Sequence, residues 1–254
     1  MKNKGWVIAN VVTVLVVITI NVLANALPLN GLNTGEISDR FDIYFVPAGY
    51  VFSIWGVIYL GLLGFAVYQA LPSQRDNAHV RRISWLHILS GVGNIGWIFT
   101  WHYERFAITL PFMLVLLAAL IGIFLRLWAN RATLTRADQW AIVVPFSVYL
   151  GWISVATVAN ATQLLYYLNW NGWGISAEVW AVIMLLVAAA IAVVMSLRHA
   201  SIAYLAVFVW AYIGIAVKHL ETPIVGVTAA VLAGAIAVAL VLAIPRRNRV
   251  WGAV

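Results

Sequence analysis

The sequence predicts an all-α integral membrane protein of about eight transmembrane helices, and three observations carry that expectation. The chain has 254 residues, of which 64% are hydrophobic and only 9% charged, whereas a soluble globule is typically about a quarter charged. The few charges sit in short clusters between long uncharged runs, each long enough to cross a bilayer. Cysteine is absent, which excludes disulfides, thiolate chemistry and Cys-ligated metals. The net charge of +7 does not point to nucleic acid, because the basic residues lie at the ends of hydrophobic runs, where they act as topology signals.

Taken in order, the spans fall near 6–27, 47–70, 83–101, 107–128, 140–165, 178–197, 201–217 and 223–244. Lys2, Lys4, an apolar run and Ala24-Asn25-Ala26 imitate a cleavable signal. The run from Trp6 to Leu23 is nevertheless long enough to span and is read as a retained first helix. Pro47 and Pro223 stand where a helix's first turn tolerates proline, while Pro72 and Pro245 are expected to follow helix ends. The boundary between spans seven and eight rests only on Lys218 to Thr222.

Basic residues fix the orientation. With the N-terminus in the cytoplasm, all but three of the fifteen Lys and Arg residues fall on the cytoplasmic side. The exceptions are Arg40, Arg105 and Lys218. This bias predicts both termini inside. The longest outer loop, 28–46, carries Glu36, Asp39, Arg40 and Asp42 and reads as a lid. No carboxylate falls in the middle of a span, so the usual signature of proton relay or ion coupling is missing.

Helical spacing places stripes on three spans. Phe52, Trp55 and Tyr59 share a face of the second. His87, Ser90, Asn94, Trp97 and Trp101 run along the third, and Pro145, Tyr149, Trp152, Ala156, Asn160 and Gln163 along the fifth. Amides facing lipid are costly, so these stripes are expected to face one another. Asparagine glue between helices and aromatic core filling explain each residue singly. They explain less well why large rings converge from three helices. Trp6, Trp128, Trp140, Trp170, Trp173 and Trp251 sit near span ends and read as interfacial belt residues. A small-residue ridge of Gly226, Ala230 and Gly234 suits helix packing within the chain or in a homodimer.

On these residues, the chain from about 6 to 165 resembles the TspO/MBR family of tryptophan-rich sensory and translocator proteins. Pro47 to Trp55, with Trp55-Gly56-Val57-Ile58-Tyr59, resembles the family's second helix; Asn94-Ile95-Gly96-Trp97 resembles its third. Pro145, Tyr149-Leu150-Gly151-Trp152, Ala156 and Asn160 resemble its fifth. Two departures touch the mouth: a single proline preceded by Val46, and Tyr50-Val51-Phe52 displaced by one position. The resemblance implies a five-helix bundle over 1–165, followed by a three-helix extension over 166–254. It also implies a tetrapyrrole ligand, porphyrin or haem, held in an intramembrane pocket capped by the first loop. Pro47, Phe52, Trp55, Tyr59, Asn94, Trp97, Tyr149, Trp152 and Asn160 would line that pocket, with Arg40 or Arg105 meeting a propionate.

Other readings compete. Porphyrin breakdown is suggested by the resemblance, but no Ser/His/Asp set, metal cluster or paired carboxylate marks a catalytic or metal site in the sequence. His102 and His219 lie near the outer surface, where an imidazole has access to a haem iron but is usually an ordinary interfacial residue. Lys218 sits at a span end without a counter-ion, as a snorkelling lysine rather than a retinal anchor. A transporter of a small amphipathic molecule is the main rival, opposed by the lack of buried charge and of matching halves. A structural or assembly subunit is the third. No sterol pattern follows the fifth span.

Overall fold

The computed structural model describes residues 4–27 and 29–251. Lys2 and Pro28, which enter the topology and loop readings, lie outside the described residues. Nine helices run through the described part: α1 (Lys4–Ala26), the short α2 (Thr34–Asp39), α3 (Ile54–Ala70), α4 (Ala78–His102), α5 (Phe106–Ala129), α6 (Arg136–Tyr167), α7 (Ala177–His199), α8 (Ile202–Lys218) and α9 (Pro223–Val250). The protein is an all-α, multi-pass membrane protein. Among the described residues, six helices are long and apolar enough to cross a membrane by length and composition. The other two of the eight long helices are α8, which is shorter, and α4, whose polar stripe dilutes its apolar character.

The first five long helices close a ring, in which α1 packs on α4, α4 on α5, α5 on α6, α6 on α3 and α3 on α1. The tightest approach is between α4 and α5, because Gly93 and Gly96 let the α5 backbone and the Phe112 ring come close. A Cβ at Gly93 would stand 2.9 Å from the Leu116 nitrogen. Helix α6 opens with a capping box at Thr135 and Asp138, then passes through a π segment, Gln139–Val143, just before Pro145. Proline lacks the N–H that would continue the α ladder, and the wider turn accommodates that loss. Gly61 on α3 makes room for the proline ring, 3.0 Å from where its Cβ would be.

The remaining helices are not a separate appendage. Helix α8 packs on α6, and α9 lies beside α8 and α7. Tyr204 donates to Ser154 at 3.2 Å, Trp210 Nε1 donates to the Val51 carbonyl at 3.1 Å, and the Ala48 amide donates to the Gly214 carbonyl at 3.1 Å. The segment leading into α3 is thus held between the ring and α8. One hydrophobic core runs continuously through all of these helices.

Four expectations change. Pro47 lies before the helix, not in its first turn, because a 3-10 segment over Gly49–Ser53 precedes α3. Pro245 lies inside α9 rather than after it. The continuing tail is held by Arg131 Nε donating to the Val250 carbonyl and Arg247 to the Gln139 side chain. Trp251 is buried rather than interfacial, donating to the His199 carbonyl at 2.7 Å and packing on Trp128. The ridge on α9 is split: Gly226 is buried against the His219 carbonyl, while Ala230 and Gly234 face outward.

Candidate functional site

The three stripes meet at the end of the ring beneath the first loop. All five α4 positions are buried, as are Pro145, Tyr149, Trp152, Asn160 and Gln163 on α6. The α3 stripe is only half-buried because it borders open space. Phe52 meets Trp152 edge to face at 5.6 Å, and Trp55 meets Tyr149 at 5.9 Å and Trp152 at 6.4 Å. Tyr59 stacks on Trp55 at 5.6 Å, and Trp97 stacks on Trp101 at the same distance.

Two cavities adjoin these rings. An inner chamber of about 50 Å³ is bounded by Pro47, Phe52, Trp55, Trp97, Trp152 and Asn160, among others. A larger cleft of about 600 Å³ lies between α1, α2, α3 and α4, lined by Asn21, Asn25, Asn33, Trp55, Tyr59 and Trp97. Thr34, Phe52, Trp55 and Trp97 border both, so the two spaces meet at those side chains. Residues bounding the inner chamber carry buried polar atoms with no partner among the described residues: the indole N–H groups of Trp97 and Trp152, and Oδ1 of Asn160. An unmatched buried polar group costs about 1–3 kcal/mol. Two donors and an acceptor around one small space are therefore well suited to hydrogen bonds with a ligand or water.

The asparagines divide by role. Asn21 donates to Asn94 at 2.6 Å and Asn94 donates to the Tyr149 hydroxyl at 3.1 Å, which ties α1, α4 and α6 together. Asn94 is thus internally satisfied glue, whereas Asn160 uses only its amide N–H groups, on Thr109 at 3.2 Å.

The first loop closes the mouth. Ile37, Phe41, Ile43 and Phe45 are buried, and Phe41 packs on Trp101, Phe106 and Tyr166. Two exposed ion pairs pin it: Arg40 with Glu104, and Lys218 with Asp39 at 3.1 Å. Arg40 is therefore already paired, and neither Arg40 nor Arg105 lines either cavity. The cleft offers amides where cations were expected. His102 is also committed, with one ring nitrogen 3.0 Å from Thr34 Oγ1 and the other 3.2 Å from the Leu29 carbonyl. His219 lies half-buried against Tyr44, and burial, then the neighbouring Lys218, holds its pKa below the ordinary value. Tyr44 donates to Glu178 at 3.0 Å, and that hydrogen bond is the largest cause of its raised pKa.

Asn21, Asn25, Asn33 and Thr34 were not among the expected site residues. Asn10, Asn21 and Asn25 lie in an otherwise apolar span, three turns and then one turn apart, and that spacing was the available signal. A second polar cluster sits deeper in the ring, where Asn10 donates to Gln69 at 2.8 Å and to Ser84 at 2.9 Å. Nearby on α4, His87 is wedged between Phe65 and Phe146, with neither ring nitrogen in hydrogen-bonding geometry with a group of the described residues.

Among known families, the one described as "TSPO-like protein" matches residues 7–242, which carries the match through the three added helices. No curated protein and no solved structure matches the chain.

Proposed function

This chain is a member of the TSPO-like family, and from that premise we propose that it binds a large, flat, apolar ligand of the tetrapyrrole class at the joined cavities under the first loop. The observation that carries the reading is the set of unpartnered Trp97, Trp152 and Asn160 polar atoms, buried among aromatic faces at the head of a 600 Å³ cleft. A volume of that order suits a cofactor-sized molecule, and ring faces suit a porphyrin plane. The 50 Å³ chamber alone takes only water-sized groups, so the ring belongs in the cleft and a polar edge or substituent reaches the chamber.

The unpartnered polar atoms and ring faces support a binding role. Among the described residues, no carboxylate and no histidine lines either cavity, so histidine ligation of a haem iron has no ligand on these walls. The residues fit the porphyrin ring better than an iron held by imidazole. A sensory or transport role would follow from release of the ligand past the pinned loop. The basic bias supports both termini in the cytoplasm; a C-terminal reporter active on the outer side would reverse that orientation.

The test is a protoporphyrin IX titration of the wild type, Trp152→Leu and Trp140→Leu in one detergent. Trp140 is 67% exposed and lies away from both cavities, which makes it the control. Loss of one ring face at Trp152 should weaken binding by about 1 kcal/mol. Equal affinity in all three folded proteins would mean that the rings only pack the ring of helices.

A further inference from the structure

The C-terminal half of α6 borders two spaces. Val155, Ala159 and Asn160 front the aromatic chamber, while Val158, Ala161 and Leu165 front a separate cavity of about 360 Å³. The two share no lining residue. The second cavity is closed by the loop segment 42–45 on one side and by the start of the extension on the other. Its rings come from all three sources: Tyr44 and Phe45, Tyr166, and Trp170 with Trp180.

These walls are preset. Trp180 Nε1 donates to the Gly172 carbonyl at 2.9 Å, and Trp170 packs on Trp180 at 5.2 Å. Gly172 has φ +62°, and a Cβ there would stand 3.3 Å from the Trp180 ring, so glycine both permits the turn and admits the indole. At the exposed mouth stands Asp42, which has no ion-pair partner among the described residues. The Tyr44–Glu178 bond brings a second carboxylate to the same side. Among the described residues, no lysine or arginine lines the cavity.

We propose that this cavity is a second binding site, for an organic ammonium ion carrying an apolar body. Ring faces attract cations through their quadrupoles, and more strongly once water is excluded. The carboxylate at the mouth supplies the counter-charge, and it repels the anionic amphipaths that an apolar cavity would otherwise admit. A soluble amine and the choline headgroup of a lipid both present such an ammonium, and the recognition chemistry is the same.

The experiment uses the full chain in phosphatidylglycerol nanodiscs, with empty discs as the blank. Equilibrium dialysis compares 4-(trimethylammonio)phenol with its neutral isostere 4-tert-butylphenol. The cation should bind at least roughly fivefold more tightly than the isostere, as a partly desolvated cation–π contact implies. Asp42→Asn, at an exposed position, should remove most of that preference and leave isostere binding unchanged. Trp180→Leu should weaken both, while Trp140→Leu, which lines no part of this cavity, should change neither. Equal binding of the two probes, or an unchanged preference in Asp42→Asn, would overturn the proposal. Adding soluble glycerophosphocholine to the same phosphatidylglycerol discs identifies the source: reduced cation binding marks competition by the choline headgroup, and unchanged binding marks a soluble amine.

Discussion

Asn94 and Asn160 show how the same side chain takes two roles at neighbouring levels of one bundle. Asn94 both accepts from Asn21 and donates to Tyr149, so Asn94→Ala strands two buried partners. It should lower stability in detergent by about 1–2 kcal/mol, the range for interhelical hydrogen bonds in membranes. Asn160→Ala breaks only the bond to Thr109 and removes an already unsatisfied oxygen, so it should cost less. Thermal unfolding of both variants checks the order, and an equal loss would contradict the assignment. His219 gives a pH prediction. Its folded pKa lies below the ordinary 6.5 because of burial and then Lys218, so the unfolded state binds its proton more readily. Its contribution is present above about pH 6.5 and is lost as pH falls through the depressed folded value. The Val46 backbone, the Asp42 carboxylate and the Tyr44 backbone oppose the shift without cancelling it. Melting temperature should therefore decline on acidification, and His219→Gln should remove part of that slope.

Helices reach their spacing here through single residues. Gly93 lets α4 and α5 approach until the Leu116 nitrogen is 2.9 Å from the missing Cβ. Gly93→Ala should therefore cost about 1–3 kcal/mol through overpacking. Gly234 on α9 meets nothing within 4 Å, so Gly234→Ala should stabilise by up to about 1 kcal/mol through helix propensity. Melts of the two variants in the same detergent should move in opposite directions. Proline has a comparable reach. Pro145 and Pro245 both sit in long helices that continue past them, the first by a preceding π segment and the second by arginine bonds to the tail.

Across the whole molecule, α8 decides whether the ring can hold its site alone. The five-helix reading leads one to expect that truncation after Asn171 keeps ligand binding. In the folded chain, Gly214 on α8 lies against Val51 and Pro47, and Trp210 bonds the Val51 carbonyl. Truncation would free the segment that carries Pro47 and Phe52 into the chamber. The expected outcome is a weaker porphyrin titration even where the truncated protein folds. Gly214→Val in the full chain should weaken binding in the same direction, since its side chain would push that segment inward. Full binding by both proteins would show that the extension does not support the site.

Hydropathy, charge placement and helical period are local properties, and they determined the number of long helices, the inward stripes on α4 and α6 and the bias of basic residues to one end. They also carried the family resemblance, since Trp55, Asn94, Trp97, Tyr149 and Trp152 keep its spacing along the chain. Pairing across helices is not local. Nothing in the spacing of Arg40 or Lys218 reveals that Glu104 and Asp39 hold them, or that His102 is spent on Thr34 and Leu29. Trp251 reads as interfacial because it ends a polar tail, and it is buried because α5 and α7 end beside it. Cavities lie further still from sequence, because each is the space left between elements distant in the chain. Only the folded chain placed the α1 asparagines on the cleft and the extension's tryptophans on the opposite face of α6.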